Sequence, residues 1–268
     1  MKYAIIAAGE GSRLAAEGVS QPKPLVKIGN ETMIDRLIRI FMQNDADEIV
    51  VICNAAMPEV ASHLQTLQRD GLQGHPVPLR FVVKNTLSSM HSFYELSPYL
   101  DGSSPNFILT TVDTIFREEE FADYVHTFQR LTPEGACDGL MGVTTYIDDE
   151  KPLYVECGMW NEECEMFSIS GFYDSLKNEK CSYFQKHLEY STCHMPHPTY
   201  ISAGIYGLTP SSLVTLRACV ERGEQRMRNF QRALLRDGLR LQAYPFTKVF
   251  DIDHATDIEN ANKFVIDN

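Results

Sequence analysis

The stretch Tyr3-Ala-Ile-Ile-Ala-Ala-Gly-Glu-Gly-Ser-Arg13 decides the fold class of this chain. Its apolar run, Tyr3 to Ala8, is typical of a strand that is covered on both faces within a parallel sheet. Gly9 and Gly11 follow at once and, lacking Cβ atoms, let backbone amides approach phosphate oxygens, while Arg13 adds a permanently charged donor. Because phosphate sites are built at the carboxyl ends of such strands, the stretch predicts a nucleotide site on an α/β sheet.

The glycine pattern argues against two common nucleotide sites. The third glycine of a dinucleotide-binding fingerprint is missing, and no Gly-Lys-Ser or Gly-Lys-Thr closes the loop as in a P-loop. By themselves, the two glycines also fit a tight turn between a strand and a helix.

Strand-like and helical patterns alternate through the first half of the chain. Apolar residues of the segment 33–43 recur at helical spacing, and a second helix is predicted from Pro58 until Asp70 and Gly71 end it. Strands are predicted over 48–53, 79–83 and 107–112, and a third helix carries Phe121, Val125 and Phe128. This alternation favours an α/β fold with a largely parallel, doubly wound sheet.

The second half of the chain is less regular. We expect strands over 140–146, 153–157, 200–208 and 239–244, with helices after Pro210 and around Met227. The segment 157–198 mixes acidic, aromatic and turn residues, and we interpret it as an insertion or acceptor-side lobe. The last helix is predicted to open with the capping box Thr256-Asp-Ile-Glu259.

Composition narrows the class of protein. The chain of 268 residues is 44% apolar and 22% charged, which predicts a folded protein, and its formal net charge of −12 disfavours a general nucleic-acid binder. Its 7 cysteines are scattered without a Cys-x-x-Cys pair, so neither a disulfide framework nor a zinc ribbon is indicated, and we expect a reducing, cytoplasmic setting. Apolar runs stay well below the ~20 residues of a membrane span, so no membrane association is expected.

A motif that follows the glycine loop is similar to that of a known enzyme family. The chain carries, in order, Gly9, Gly11, Arg13, Pro22, Lys23 and Gly29, the last of them just before an amphipathic helix. In this order and spacing it resembles the nucleotidyltransferase superfamily that makes nucleoside-diphosphate sugars. The resemblance implies one Rossmann-like, three-layer α/β domain over residues 1–268 with a mostly parallel mixed sheet. The nucleotide-binding half would cover 1–145, and 146–268 would supply the acceptor side and a closing metal-binding segment.

The same resemblance implies roles for individual residues. The nucleotide would contact the loop residues Ala7, Ala8, Gly9, Gly11, Ser12 and Arg13, with Ser88 and Ser89 beside the nucleobase. Arg13 would hold the β and γ phosphates, and Lys23 would neutralise the charge that gathers at the α-phosphate. Independently of the likeness, nucleotidyl transfer depends on positioning and on stabilising charge at phosphate oxygens, which cations of this kind supply.

Two acidic segments match the family's metal ligands. Asp113 follows the predicted strand 107–112, and Phe250-Asp-Ile-Asp-His254 resembles the family's closing segment. The resemblance implies Mg²⁺ on Asp113 and Asp253, with Asp251 as the alternative ligand because residues two apart in an extended chain share a face. Carboxylates together with substrate oxygens are the usual ligands of Mg²⁺.

The acceptor side is matched less completely. The segment 200–206 resembles a strand that lines the sugar pocket, which implies that Gly204 and Tyr206 contact the acceptor. Many sugar-phosphate members carry a Glu-Lys-Pro triplet after the strand that precedes the pocket. Here the triplet Glu150-Lys151-Pro152 lies earlier in the sequence. Which residues bind the phosphate of a sugar phosphate is therefore an open question at this point. An acidic, aromatic box for choline is an alternative, formed by Tyr154, Trp160, Phe172 and Tyr173 among Glu156, Glu162, Glu163 and Glu165.

The expected activity is transfer from a nucleoside triphosphate to a phosphorylated small-molecule acceptor, a sugar 1-phosphate, releasing pyrophosphate. The alternatives are a phosphocholine-type cytidylyltransferase and a non-catalytic subunit that binds a nucleotide sugar. A glycosyltransferase is disfavoured because Asp113-Thr-Ile stands where an Asp-x-Asp is usual. We interpret Arg228, Arg232 and Arg236, which share one helical face, as a solvated or interface surface rather than a nucleic-acid stripe. The nucleobase, the acceptor and the oligomeric state are not specified by the sequence.

Overall fold

The fold is given by a computed structural model that describes residues 1–102, 106–133, 135–147, 151–161, 166–175 and 199–266. Its strands are β1 (Lys2–Ala7), β2 (Lys27–Ile28), β3 (Glu31–Thr32), β4 (Glu48–Cys53), β5 (Leu79–Val83), β6 (Phe107–Thr111), β7 (Thr114–Ile115), β8 (Gly139–Thr144), β9 (Tyr154–Asn161), β10 (Met166–Tyr173), β11 (Tyr200–Leu208), β12 (Leu241–Phe246) and β13 (Phe250–Asp251). Nine of them form one sheet in the order β5-β4-β1-β6-β11-β8-β12-β10-β9. The pairs β2–β3 and β7–β13 are separate small sheets.

The large sheet is mixed, as the family resemblance implied. Pairing is parallel along β5-β4-β1-β6 and between β8 and β12. It is antiparallel at β6–β11, β11–β8, β12–β10 and β10–β9. Only β10 and β11 therefore run against the other strands of this sheet.

Helices cover both faces of the sheet. They are α1 (Ser12–Ala16), α2 (Met33–Gln43), α3 (Pro58–Asp70), α4 (Ser89–Leu100), α5 (Glu118–Leu131), α6 (Ser211–Glu221), α7 (Met227–Arg236) and α8 (Ala255–Ile266), with a short 3₁₀ helix at Lys23–Leu25. One buried apolar cluster includes residues of α2, α3, α5 and α8, and the other includes residues of α4, α6 and α7. The fold is thus a three-layer α/β/α arrangement, which confirms the predicted fold class.

Strand β1 lies between the two cores. Tyr3 and Ile5 belong to one apolar cluster, and Ala4 and Ile6 belong to the other. This alternation is the period of two that a strand imposes on its side chains, and it explains why the run is apolar at every position. After β1 the chain leaves the sheet at Ala8 and enters the glycine loop directly.

Most predicted elements lie where the pattern placed them. Helices α2 and α3 begin and end at the predicted residues, and Gly71, with φ of 79°, follows the last residue of α3. Strand β10 was not predicted, because its pairing with β9 shifts register twice and Ser168, Ser170 and Gly171 interrupt its apolar pattern. Among the described residues, no helix combines the length and apolar character that a membrane span requires.

Candidate active site

The glycine loop passes directly over Lys23. Gly11 adopts a left-handed backbone with φ of 61°, and a Cβ there would lie 3.1 Å from the Cβ of Lys23. A Cβ at Gly9 would meet no protein atom within 4 Å, so this position is open. Lys23 itself is only 8% exposed and begins the short 3₁₀ helix. Gly11 is therefore required for two reasons, its φ angle and the close approach of the lysine.

A cavity of about 540 Å³ lies beside this loop. The predicted nucleotide contacts that line it are Ala8, Gly9, Gly11, Ser12, Arg13, Ser88 and Ser89. Lys23 and Asp113 line it as well. Ala7 is the exception among the predicted contacts: it ends β1 with its side chain in the core below α2 and α3, because consecutive strand residues point to opposite faces.

Ser88 is the N-cap of helix Ser89–Leu100. Its Oγ accepts a hydrogen bond from the backbone amide of His91 at 3.4 Å and lies 2.9 Å from the Nδ1 of the same histidine. His91 thus takes part in the helix cap. Both Ser88 and Ser89 line the cavity, so the start of this helix faces any ligand bound there.

Two cations and two carboxylates meet at one end of the cavity. The Nζ of Lys23 forms an ion pair with Asp113 and lies 2.9 Å from Oδ1 of Asp253. Arg13 forms an ion pair with the other oxygen of Asp253. All four residues were predicted to belong to the site, and the structure brings them together from positions 240 residues apart in the chain.

Strand pairing adds Asp251 to this cluster. β13 pairs with β7 so that Asp251 lies opposite Thr114, and the amide of Ile252 donates to the backbone oxygen of Asp113 at 3.2 Å. Carboxylate oxygens of Asp113, Asp251 and Asp253 all lie within 4.8 Å of one another. The predicted ligand and its predicted alternative are therefore both present beside Asp113.

The charged groups of the cluster shift one another's pKa values. Burial alone would lower the pKa of Lys23, but the three carboxylates outweigh it and raise that pKa above its usual range, so the ammonium stays charged. Burial would raise the pKa of Asp113, yet its ion pair and hydrogen bond with Lys23 hold it below its usual range. Asp251 lines a cavity of the site. Its pKa is raised well above the ordinary value, first because the surrounding protein excludes water from the carboxylate and second because of the charge of Asp113.

The cluster fits a divalent cation. Oδ1 of Asp113 is buried and accepts no hydrogen bond from the described residues, so this oxygen is available to a further ligand. Hard oxygen donors, of which three carboxylates supply up to six, suit Mg²⁺. A cation at this position would also favour the ionised form of Asp251.

Two acidic side chains fasten the closing segment that carries Asp253. Oδ2 of Asp257 accepts the amides of Asp253 at 3.0 Å and His254 at 2.6 Å. Glu17, just after α1, accepts the amide of Ala255 at 2.7 Å and lies 2.6 Å from Nδ1 of His254. The predicted capping box at Thr256 is therefore wrong: the helix begins at Ala255, whose amide donates to Glu17, and Asp257 accepts the two amides that precede it.

A second cavity, of about 460 Å³, adjoins the first. The residues that line both cavities are Arg13, Ser88, Ser89, Thr111 and Asp253. Gly204 and Tyr206, the predicted acceptor contacts, line the second cavity only. We call it the acceptor cavity, and the first one the nucleotide cavity.

Gly204 is also constrained by its backbone conformation and by close neighbours. Its φ is 72°, and a Cβ there would lie 2.9 Å from Cγ2 of Thr114 and 3.2 Å from Oγ1 of Thr111. The pairing of β11 with β8 shifts register between Ser202 and Tyr206, which marks a bulge at this place. The glycine thus allows β11 to bend against the segment that carries Asp113.

A buried polar network forms one wall of the acceptor cavity. Gln231, only 2% exposed, accepts a hydrogen bond from Oγ of Ser202 at 3.1 Å and donates to Oη of Tyr206 at 3.4 Å. Burial raises the pKa of Tyr206 to about 12, so its hydroxyl is neutral. Sequence reasoning missed Ser202 and Gln231, because a glutamine within an apolar helix pattern has no motif of its own.

Three basic side chains also line the acceptor cavity: Lys151, Arg226 and Arg228. Lys151 belongs to the displaced Glu-Lys-Pro triplet, and the structure brings it to the cavity even though the triplet precedes β9. Its position in the sequence alone could not show this, because only the fold brings Lys151 close to β11 and α7 at this cavity.

The described members of the proposed choline box line neither cavity. Phe172 is packed in an apolar core, and Oη of Tyr173 donates to Glu156 at 2.9 Å. Glu162, Glu163 and Glu165 lie outside the described residues, as does the side chain of Trp160.

The arginine stripe is neutralised within the protein. Arg228 and Arg232 both form ion pairs with Asp174, and Arg236 pairs with Asp237 at 3.4 Å and with Glu224 at 3.7 Å. The ion pairs with Asp174 join α7 to the end of β10. They leave little charge on this face for a polyanion, in agreement with the preferred interpretation.

A glycine loop, paired cations and a carboxylate cluster at the carboxyl edge of an α/β sheet are typical of proteins that use a nucleoside triphosphate with a divalent cation. This chain belongs to the MobA-like NTP transferase domain family, whose sequence profile matches residues 3–158. The matched region runs from β1 through the glycine loop and Asp113 into β9. Comparison with curated protein sequences gave no match.

Solved structures with the same fold cover nearly the whole chain. A structure from Bacillus anthracis, described as a glucose-1-phosphate thymidylyltransferase in complex with sucrose, is 18% identical with a TM-score of 0.75, covering 100% of this chain and 96% of that one. A UDP-glucose pyrophosphorylase complexed with UDP-glucose is 16% identical, with a TM-score of 0.71 and coverage of 99% and 98%. The inositol-1-phosphate CTP transferase from T. maritima is 16% identical, with a TM-score of 0.67 and coverage of 98% and 94%. The chain therefore has the Rossmann-like fold of nucleoside-diphosphate-sugar transferases.

Proposed function

We propose that this protein transfers a nucleotidyl group from a nucleoside triphosphate to a sugar 1-phosphate, giving a nucleoside-diphosphate sugar and pyrophosphate. The observation that carries the proposal is the meeting of Arg13, Lys23, Asp113 and Asp253 where two adjoining cavities share a wall. A transfer between two bound phosphates needs two such cavities and a charged centre between them. The family and the sugar-phosphate transferases of similar fold support the same reaction class.

In the proposed reaction, an oxygen of the acceptor phosphate attacks the α-phosphorus of the triphosphate. The bond between the α-phosphorus and its bridging oxygen breaks, and pyrophosphate leaves with that electron pair. Because the attacking oxygen is already ionised at neutral pH, the protein need not supply a general base. Its task is to hold the two reactants in line and to stabilise negative charge.

The cluster supplies this stabilisation. Lys23, kept charged by its carboxylate neighbours, neutralises the α-phosphate, and Arg13, which lines both cavities, holds the β and γ phosphates. Asp113 and Asp253, with Asp251 beside them, would hold Mg²⁺, which supplies Lewis-acid polarisation of phosphate oxygens when bound. Apart from Asp253, the residues that line the nucleotide cavity all fall between Ile6 and Asp113, in keeping with a nucleotide-binding half over 1–145.

The test is release of pyrophosphate in the presence of Mg²⁺. ATP, CTP, GTP, UTP and dTTP are each offered with pooled sugar 1-phosphates and, separately, with phosphocholine. We expect release with sugar 1-phosphates that is abolished by EDTA. Release only from CTP with phosphocholine would replace the proposal by the cytidylyltransferase alternative.

A non-catalytic binding subunit would give a different result. Nucleotide would raise the melting temperature without any release of pyrophosphate, since a ligand at about 100 times its Kd stabilises a protein by about 2.7 kcal/mol. Thermal melts with each nucleotide therefore accompany the release assay.

Removing the carboxylate of Glu17 is expected to weaken the use of Mg²⁺. Glu17 contacts the amide of Ala255 and the ring of His254. Without these contacts, the segment that carries Asp253 is no longer held against the end of α1. We expect Glu17→Ala to raise the Mg²⁺ concentration at half-maximal rate about tenfold, the usual cost of losing a residue that orients a metal ligand. Pyrophosphate release is measured against Mg²⁺ concentration.

Two further variants make this result specific to Glu17. Glu17→Gln keeps an oxygen for the amide of Ala255 and should recover part of the loss. Glu59→Gln, which changes an exposed carboxylate on α3 outside both cavities, should behave as the natural protein. An unchanged Mg²⁺ dependence in Glu17→Ala would show that the contacts of Glu17 do not position Asp253.

A further inference from the structure

Gln231 is a buried polar residue on an otherwise apolar helix face. It belongs to α7, whose other buried residues are Met227, Phe230, Ala233 and Leu234, and it is only 2% exposed. An apolar side chain at this position would be buried without the cost of removing an amide from water. Because Gln231 also lines the acceptor cavity, a role for its amide is expected there.

The protein uses only part of the hydrogen-bonding capacity of this amide. Oε1 of Gln231 accepts from Ser202, and Nε2 donates to Tyr206 at the long distance of 3.4 Å. An amide nitrogen carries two N–H groups, and Nε2 has no second acceptor among the described residues. The count is the same if the amide is turned over, because both partners are hydroxyls that either donate or accept. In the described part of the protein, one N–H of this buried amide is therefore unpaired, at a cost in free energy that a ligand in the cavity would recover.

Ser202 and Tyr206 hold the amide in a fixed orientation. Both belong to β11, one on each side of the bulge at Gly204, and both line the acceptor cavity together with Gln231. Tyr206 is only 5% exposed, so this end of the network is buried as well. With its oxygen and its nitrogen both bonded to one strand, the amide has little freedom to rotate. A donor that is held in place before the ligand arrives binds at a low cost in conformational entropy.

The charged groups of the acceptor cavity suit a different part of the acceptor. Its basic side chains and the carboxylates of the closing segment fit a phosphate and a divalent cation. The hydroxyl groups of a sugar are neutral and both donate and accept, so neutral amides and hydroxyls match them. Three other hydroxyl side chains of this cavity already hydrogen-bond to backbone groups nearby in sequence: Ser88, Thr114 and Thr144. The unpaired N–H of Gln231 is thus in place for the sugar rather than for the phosphate.

We propose that Gln231 is a specificity-determining residue, which donates its remaining N–H to one hydroxyl oxygen of the acceptor sugar. The inference rests on the proposed function and specifies how the acceptor is recognised. A sugar that carries this hydroxyl group satisfies the buried amide, whereas an analogue without it leaves the N–H unpaired in a cavity from which it has displaced water. The protein should therefore discriminate between sugar 1-phosphates by a single hydroxyl group. Phosphocholine, which has no hydroxyl group on its choline part, does not make this contact.

The test compares acceptors that differ by one hydroxyl group. Pyrophosphate release is measured with glucose, galactose and mannose 1-phosphates, and then with the analogues of the best of these that each lack one hydroxyl group. The proteins are the natural chain, Gln231→Met and Gln242→Met. Methionine keeps the approximate size and the helix propensity of glutamine but has no N–H in its side chain. Gln242 is the matched control, because it is a second buried glutamine, 4% exposed, and lies outside both cavities.

We expect the natural protein to use one of these analogues about thirtyfold less well than the parent sugar in kcat/KM, the factor that corresponds to about 2 kcal/mol for an unpaired buried donor. Gln231→Met should lower kcat/KM for the parent to nearly the level of that analogue and leave the analogue itself nearly unchanged, so that this preference disappears. Gln242→Met should keep the preference. Equal use of the parent and all its analogues by the natural protein, preferences that all survive in Gln231→Met, or an equal loss for every acceptor in that variant would overturn the inference.

Thermal melts test the same contact if no pyrophosphate is released. Glucose 1-phosphate and each of its analogues are added at one concentration, together with the nucleotide that raises the melting temperature most. A smaller rise with one analogue, which becomes equal to that of the parent in Gln231→Met, supports the contact and places the failure in the proposed reaction. Equal stabilisation by the parent and its analogues, no stabilisation by any of them, or an unchanged difference in Gln231→Met would remove the inference whatever the reaction proves to be.

Discussion

An Asp113→Asn variant is expected to lose at least about a thousandfold in kcat and to keep its fold. A bound metal contributes several kcal/mol of transition-state stabilisation, and each factor of ten in rate corresponds to about 1.4 kcal/mol. Asp113 holds Lys23 with one oxygen, and its other oxygen is buried without a donor among the described residues. Asparagine keeps an acceptor for Lys23 but removes the charge that a divalent cation requires.

The fold should tolerate this change. Asp251 and Asp253 lie close to Asp113, so one fewer carboxylate relieves repulsion, and the new amide can donate to its neighbours. The loss of the ion pair with Lys23, which holds the pKa of Asp113 low, outweighs this relief, so we expect a lower melting temperature with the fold retained and a smaller rise on addition of Mg²⁺. Pyrophosphate release at saturating substrates and thermal melts with and without Mg²⁺ measure both effects.

Asp70→Asn is the matched control. Asp70 is an exposed aspartate at the end of α3 that pairs only with the neighbouring Arg69 among the described residues, far in sequence from the cluster. It should retain normal turnover and the normal response to Mg²⁺. Near-normal turnover in Asp113→Asn would contradict the assignment of this residue to the reaction centre.

The first part of the site could be predicted because its signal is local. β1, Gly9, Gly11 and Arg13 follow each other directly, and the strand-loop-helix order fixes where the loop must lie relative to the sheet. The close approach of Lys23 to Gly11 could not be predicted in this way. The two residues come into contact only because of the path that the chain takes between them.

The closing segment shows where the sequence stops being sufficient. Alternation in an extended chain placed Asp251 and Asp253 on one face, but their distance from Asp113 follows from the pairing of β7 with β13, two strands of two residues each. Pairs this short have no recognisable sequence pattern. Glu17 was missed for the same reason, since its partners lie more than 230 residues away.

The acceptor side was the least predictable because its residues come from three separate parts of the chain. Lys151, Ser202, Arg226 and Gln231 have no common spacing, and only the folded sheet and α7 bring them to one cavity.

Lys23→Met is expected to reduce both turnover and stability, and Mg²⁺ should restore part of the stability but not the turnover. Lys23 is the buried counter-charge of three carboxylates, so its loss leaves Asp113 without its cation and Asp253 with Arg13 alone. Removing one partner of a buried ion pair costs about 3 to 5 kcal/mol. Loss of a positioned charge at the α-phosphate should lower kcat at least about a hundredfold.

The response to Mg²⁺ separates the two roles of Lys23. In the natural protein the ammonium already offsets part of the negative charge, so the cation adds comparatively little stability. In Lys23→Met the cation becomes the main counter-charge, and the rise in melting temperature with Mg²⁺ should exceed that of the natural protein. Lys27→Met, which changes an exposed lysine on β2 outside both cavities, should leave turnover and the Mg²⁺ response unchanged. Normal turnover in Lys23→Met, or a loss of stability that Mg²⁺ does not reduce, would contradict a reaction centre built on the charge balance between this lysine and the three carboxylates.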